Sequence, residues 1–340
     1  MKVFAAIEDP RLPLGDVAAW AKRAERIGFH GLLIPEAVHD GFLTALLALE
    51  HTSTLEVATS VTVAFPRSPT TVAYAAWDLQ ALSGGRFALG LGSQIKGNIV
   101  GRFGTPWTPP VARMRDYVGA IRAVWQSWQT DAPLAFSSAN YQLTRMQPFF
   151  NPGPIEHPAI PIYLGGVNPG MVTLAGEVAD GLMTHPTNSG PRFLRERCLP
   201  ALTSGAERVG RGSAPGTVIA STFVATGPDD AAVTRERENL RQYFGFLYST
   251  PQYWPTLALY GWEDIGTKLR EFTRAGRWQD MPALITDDIL DALVATGTYD
   301  AIAPVLRSWY GDLASGITLR LPDDPTHDPA LGRVIGALAA

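Results

Sequence analysis

Cysteine is nearly absent. Cys198 is the only one in 340 residues, so the chain closes no internal disulfide and offers no thiolate cluster to zinc or an iron–sulfur centre. The six histidines are scattered, with no HExxH or comparable pairing, so no metal site is expected. An excess of either charge is lacking as well: 28 basic residues against 32 acidic ones give a net −4. That balance, with no basic patch, excludes a pull toward nucleic acid or an anionic bilayer. Long apolar runs are missing too, and the opening Val3–Ile7 stretch is too short for a signal peptide or a membrane span. No tandem repeat or low-complexity tract is present, which sets solenoids aside. These absences leave a cytoplasmic protein working on a small molecule as the expectation.

What is present is β-α alternation. Eight apolar, strand-length runs stand out: Lys2–Ile7, Gly31–Pro35, Glu56–Val63, Phe87–Leu91, Ile160–Gly165, Gly181–His185, Thr217–Ala225 and Gly316–Leu321. Amphipathic helical patterns separate them. In Leu14–Ile27, for example, Val17, Trp20, Ala21, Ala24 and Ile27 recur at three- and four-residue steps before Gly28 stops the helix. The sharpest segment is LSGGRFALGLGSQIKGN, Leu82 to Asn98. Its Ser83-Gly84-Gly85 ends a helix, since glycine takes the positive φ such ends require. Phe87–Leu91 then reads as a strand covered on both faces, and Ser93 to Asn98 turns abruptly polar. Eight such strands predict an α/β fold, a closed (β/α)8 TIM barrel with insertions, with a doubly wound open sheet as the rival. A single domain over residues 1–340 follows from the length.

Two spacings mark the insertions, near 130–160 and 230–310. Thr130 to Ala159 carries Leu134–Phe136 and Tyr141–Leu143, which can pair as a small hairpin, and then a proline-rich segment. Asp230 to Tyr310 shows several helical patterns and no convincing strand, and reads as a helical lobe. Trp77 and Trp107 read as packing residues.

In a barrel, chemistry belongs at the C-terminal strand ends. That rule selects Glu36, His39 and Asp40 after the second strand, Phe65 and Arg67 after the third, and Ser93, Gln94, Lys96 and Asn98 after the fourth. Gly166, Val167 and Asn168 follow the fifth strand, and His185, Thr187 and Asn188 the sixth. Asn168-Pro169 and Ser189-Gly190-Pro191 are helix starts whose free N–H groups suit an anion.

These residues resemble those of the bacterial luciferase-like monooxygenase superfamily, in its coenzyme F420-dependent branch. The resemblance is carried by RAERIGFHGLLIPE (Arg23–Glu36), VATSVTVAFPRSP (Val57–Pro69), LSGGRF with GLG, and IPIYLGGVNPGMVTLAGEVADGLMTHP (Ile160–Pro186). It implies a luciferase-like barrel that transfers a hydride between the deazaflavin C5 of F420 and a small organic substrate, with FMN as the alternative cofactor and a homodimer as the assembly. It further implies a cis peptide at Ser60-Val61 against the ring, with Thr62 beside it. Ser93 and Asn98 match positions near the ring and its ribityl chain, Gly165, Gly166, Val167, Asn168 and Pro169 match the loop lining the cofactor, and His185 completes the expected cofactor set. Sugar- and alcohol-oxidising relatives carry an Asp-His pair after strand two, where this chain has Glu36 and Ala37, and a glutamate after strand four, where it has Ile95. The expected acid–base group is therefore His39, with Glu36 or Asp40 orienting it, or Glu36 itself made a proton carrier by desolvation in an apolar barrel mouth.

Overall fold

The computed structural model describes residues 1–7, 9–212 and 216–340. Its strands are β1 (Lys2–Ala6), β2 (Gly31–Ile34), β3 (Glu56–Thr59), β4 (Thr62–Val63), β5 (Phe87–Gly92), β6 (Phe136–Ser137) and β7 (Gln142–Leu143). They continue as β8 (Ile162–Gly165), β9 (Gly181–Met183), β10 (Thr217–Ala220), β11 (Val224–Gly227), β12 (Ala295–Thr298) and β13 (Gly316–Leu319). The main sheet runs β3-β2-β1-β13-β10-β9-β8-β5-β4, and a further β3–β5 pairing joins its ends. With β3 and β4 occupying one position, this is the expected closed barrel of eight parallel strand positions. The open-sheet rival is excluded by that closing pair.

The local rules behind the elements are visible. Leu14–Ile27 is helical and ends at Gly28 with φ 103°, and Pro69–Ser83 ends at Gly84 with φ 62° followed by Gly85 at 95°. An L side chain is strained at such angles. β2 and β5 are buried along their whole length, as strands covered on both faces must be.

The third strand departs from a single run. Val57 and Ala58 face Phe87 and Ala88, an offset of 30, whereas Thr62 and Val63 face Leu91 and Gly92, an offset of 29. One extra residue therefore sits on the β3–β4 side, a bulge, and the Ser60-Val61 peptide inside it is cis.

Two other expectations are corrected. Thr217–Ala225 is not one strand: β10 joins the barrel beside β13, while β11 pairs in parallel with β12 in a separate two-stranded sheet. The chain leaves the barrel at Ser221-Thr222 because Thr222 bonds Thr318 through both its backbone N–H and its hydroxyl. The 230–310 region is consequently not purely helical, since β12 lies within it. The hairpin of the first insertion forms as a short antiparallel pair, Phe136 opposite Leu143.

The chain divides into two compact units. One comprises Ala5–Met183 and Ala201–Gly216, and the other Met1–Phe4, Thr184–Pro200 and Thr217–Ala340. The second unit has an apolar core around Phe223, Phe244, Tyr248, Leu257, Met281 and Ile289, built by the helix Asp230–Leu247 and the segments that follow it.

Candidate active site at the strand ends

In the first unit, the loop after β2 is organised by charge. Glu36 has a side chain only 8% exposed. Its Oε2 accepts the Val63 N–H at 3.0 Å and its Oε1 accepts from Arg67 Nη1 at 2.8 Å. Arg67 also donates to the Val63 carbonyl, so one residue of β4 is gripped at both its N–H and its C=O. Asp40 accepts from Arg67 Nη2 at 2.7 Å, and its other oxygen caps the helix Gly41–Glu50 by accepting the Phe42 N–H. Burial opposes the Arg67 charge, but the hydrogen bonds it donates to Glu36 and Asp40 outweigh that and hold the guanidinium above its ordinary value. Arg102 donates to the Ala37 carbonyl and ties the same loop down.

This differs from the expected acid–base arrangement. Neither carboxylate touches His39: Glu36 and Asp40 are turned to Arg67, and Glu36 stands in an ion pair rather than an apolar mouth. His39 is half-buried and has no hydrogen bond or ion pair among the described residues. The structure thus brings Glu36 and Asp40 together through Arg67, which the strand-end rule selected but to which the sequence attached no role.

Beyond β3, the bulge packs against glycines. A Cβ on Gly92 would lie 2.4 Å from Val61 Cγ2 and one on Gly165 would lie 3.0 Å from Val61 Cγ1. Only the missing side chains at 92 and 165 leave room for Val61. Thr62 is buried, and its hydroxyl has no hydrogen-bond partner among the described residues. Ser93 and Asn98 are linked through Gln94, whose carbonyl accepts from the Ser93 hydroxyl and whose side chain accepts from Asn98 Nδ2. Gln94 itself adopts φ 55°, a left-handed conformation unusual outside glycine. Gly166 is buried, Val167 is partly exposed, and Asn168 and Pro169 are exposed at the start of the helix Pro169–Val178, where the Asn168 side chain makes no capping bond.

Arg113 connects the hairpin insertion to this end. It lies 4.4 Å over the Phe65 ring, donates to the Phe65 carbonyl and donates to the Tyr141 hydroxyl. Trp107 packs edge-on against Phe65 and Trp77 is fully buried, so both serve packing as expected.

His185 belongs to the second unit, two residues past the end of β9. Its ring stacks on Tyr253, with centroids 4.7 Å apart and planes 8° from parallel. Nδ1 lies 2.8 Å from the Thr187 hydroxyl and accepts the Thr187 N–H. Burial pushes its pKa down to about 4, so the imidazole is neutral near pH 7. Tyr253 is the residue that sequence reasoning missed. It stands 68 positions along the chain inside the second insertion, and no spacing signal joins it to His185.

No group of three or more His, Cys, Asp or Glu among the described residues is placed to hold a metal ion. No described helix is long and apolar enough to cross a membrane.

With this geometry established, comparison with known proteins defines the class. A sequence model for the luciferase-like monooxygenase family matches residues 2–315, and the chain belongs to that family. The uncharacterized protein Rv1360 of Mycobacterium tuberculosis is 42% identical over 295 residues, covering 87% of this chain and 86% of its own. Among solved structures, the coenzyme F420 dependent tetrahydromethanopterin reductase from Methanopyrus kandleri matches with a TM-score of 0.81 at 19% identity, over 98% of this chain and 97% of that one. The oxygenating constituent of 3,6-diketocamphane monooxygenase from Pseudomonas putida, in complex with FMN, matches with a TM-score of 0.69 at 15% identity, over 99% and 96%. At these identities the two structures establish a shared fold.

Proposed function

We propose that this protein is a coenzyme F420-dependent oxidoreductase that moves a hydride between the deazaflavin C5 and a small organic substrate. The observation that carries the reading is the bulge of β3–β4, where Val61 occupies space left by Gly92 and Gly165 at a strand end. A flat, largely apolar ring system needs one smooth apolar face and polar groups at its edge. Val61 between two glycines supplies the face, and Ser60, Thr62, Ser93 and Asn98 supply the edge. The exposed start of the helix Pro169–Val178, with Gly165, Gly166, Val167, Asn168 and Pro169 leading into it, suits the anionic tail. The unpartnered Thr62 hydroxyl fits a group that would accept from it. His185, also in the expected cofactor set, lies in the other compact unit.

When bound, the deazaflavin would supply or accept the hydride. The chain's own part is to orient and to exclude water. Glu36 and Arg67 hold Val63 and so fix the bulge, Asp40 fixes Arg67 and the next helix, and His39, free of other partners, exchanges a proton with solvent or substrate.

FMN, bound in one of the structural neighbours, is the alternative cofactor. Titrating apo-protein with F420 and with FMN, each followed by fluorescence, tests the choice. Saturable F420 binding at least tenfold tighter than FMN is expected. Tighter FMN binding transfers the reading to a flavin monooxygenase, and binding of neither leaves a small-molecule-binding barrel without redox chemistry.

A further inference from the structure

Gln94 occupies a backbone position that suits glycine. Its φ of 55° lies in the left-handed region, where a long side chain is strained. It stands two residues past β5, at the end of the barrel where chemistry is kept. Gly92, two residues earlier, is the one whose added Cβ would strike Val61, so the Gln94 Cα lies within about 7 Å of that contact's backbone. A glycine at 94 would relieve the strain. Local structure explains only part of the side chain that stands there instead, and backbone strain of this kind gathers where a site needs a group held in place.

The part explained is one oxygen. Gln94 Oε1 accepts the Ile95 backbone N–H at 2.9 Å and Asn98 Nδ2 at 3.1 Å. A backbone N–H only donates, so the Gln94 carboxamide is fixed with its oxygen toward Ile95 and its nitrogen on the other arm. The same step fixes Asn98, because an atom that faces Oε1 must be a donor and is therefore Nδ2, leaving Oδ1 on the opposite arm. The two amides leave over one donor, Gln94 Nε2, and one acceptor, Asn98 Oδ1, neither with a partner among the described residues. Both side chains are half-buried, open to a ligand yet tied to the loop.

The loop itself has no use for the amide nitrogen. Oε1 alone accepts from Ile95 and Asn98, the backbone carbonyl accepts from the Ser93 hydroxyl, and a carboxylate would serve equally in every one of these bonds. A ligand edge that carries both a carbonyl oxygen and an N–H would engage what is left over. The pyrimidinedione side of a deazaflavin or flavin ring is such an edge, and all of the residues concerned belong to the same compact unit as the β3–β4 bulge.

We propose that Gln94 Nε2 donates to a carbonyl oxygen on the pyrimidinedione edge of the deazaflavin, which makes Gln94 a cofactor-binding residue. This rests on the oxidoreductase reading for the identity of the ring and on the fixed amide for the contact. Gln94 takes no part in the hydride step; it orients the ring and keeps its own hydrogens.

The discriminating variant is Gln94→Glu in the full-length protein. Both carboxylate oxygens accept, so the bonds from Ile95 and Asn98 are retained while the free arm changes from donor to acceptor. Gln94→Gly removes the side chain and relieves the backbone. Dissociation constants for F420, for its deazaflavin headpiece without the anionic tail, and for riboflavin, which has the same pyrimidinedione edge, are measured by fluorescence, with thermal midpoints of the apo-proteins alongside. The headpiece is needed because a new carboxylate repels an anionic tail wherever it stands. Gln94→Glu is expected to weaken the headpiece at least tenfold and Gln94→Gly about fivefold, with both midpoints within about 3 °C of wild type. Headpiece affinity in Gln94→Glu within twofold of wild type would overturn the proposal, as would a loss confined to the tailed cofactor or a midpoint lowered by about 10 °C, which would make the amide part of the scaffold. If riboflavin binds and neither deazaflavin does, the F420 reading fails, and Gln94→Glu is judged on riboflavin by the same thresholds. If none of the three binds the wild type, both readings fall. Should Gln94→Glu fail to fold, unchanged headpiece affinity in Gln94→Gly overturns the proposal and a fivefold loss supports it.

Discussion

The ends of β2 and β9 solve the same problem by opposite means. After β2, three charged groups are packed together, one guanidinium shared by two carboxylates: Arg67 bridges Glu36 and Asp40 and grips the backbone of β4. After β9, the polar groups are neutral, two aromatic rings lie face to face, and Thr187 holds the His185 ring at Nδ1. Buried charge buys rigidity at a desolvation cost that only intact pairing offsets. Neutral donors carry no such liability and remain usable by a ligand. The difference teaches that a strand-end carboxylate is not thereby an acid, and that a histidine far from any carboxylate can still be held in one chemical form.

The largest effect expected from breaking this contrast is at Arg67. Arg67→Met leaves Glu36 buried and unpaired and should cost about 3–5 kcal/mol of unfolding free energy, read from urea midpoints. A loss under about 1 kcal/mol would place the pair with weakly coupled surface bridges instead. Next is acid. His185 resists protonation in the folded state until about pH 4, whereas an ordinary imidazole takes a proton near 6.5. Between those values the unfolded chain binds the extra proton, so stability falls as pH drops through the window and the His185 contribution is fully spent below pH 4. The shift corresponds to about 3 kcal/mol. Comparing wild type with His185→Gln from pH 7 to pH 4 isolates it, and parallel curves would refute a neutral, buried ring. A smaller loss, about 1 kcal/mol, is expected of Asp40→Ala, which removes the cap of the helix Gly41–Glu50; thermal unfolding would detect it. Smallest is Tyr253→Phe, which keeps the stacked ring and should change stability by less than about 0.5 kcal/mol. A larger loss would show that the Tyr253 hydroxyl is part of the scaffold.

All eight barrel positions were legible because each strand is an apolar run bounded by glycine, proline or polar residues, and the helix ends at Gly28 and Gly84 declared themselves. The split of Thr217–Ala225 was not, since TVIASTFVA keeps strand-like composition across the break. The exit is decided by hydrogen bonds from Ser221 and Thr222 to Thr184 and Thr318, contacts no linear pattern contains. β12 was hidden because ATGT is short, carries a glycine and follows a helix. At the site, the rim positions followed from the barrel rule, while the partnerships did not. Arg67 lies 31 residues from Glu36 and Tyr253 lies 68 from His185, so charge pairing and ring stacking were settled by the folded chain alone.

The fit of Val61 between positions 92 and 165 has an evolutionary corollary. With 2.4 Å between Val61 Cγ2 and any new Cβ at 92, and 3.0 Å between Val61 Cγ1 and one at 165, enlarging position 92 is blocked and enlarging 165 is strained until the central side chain shrinks, and shrinking it first opens a void. Single-step drift is therefore closed along this route, and diverged relatives should exchange the three positions in concert. Selection for new substrates would be expected to reshape the loops before it reaches this keystone.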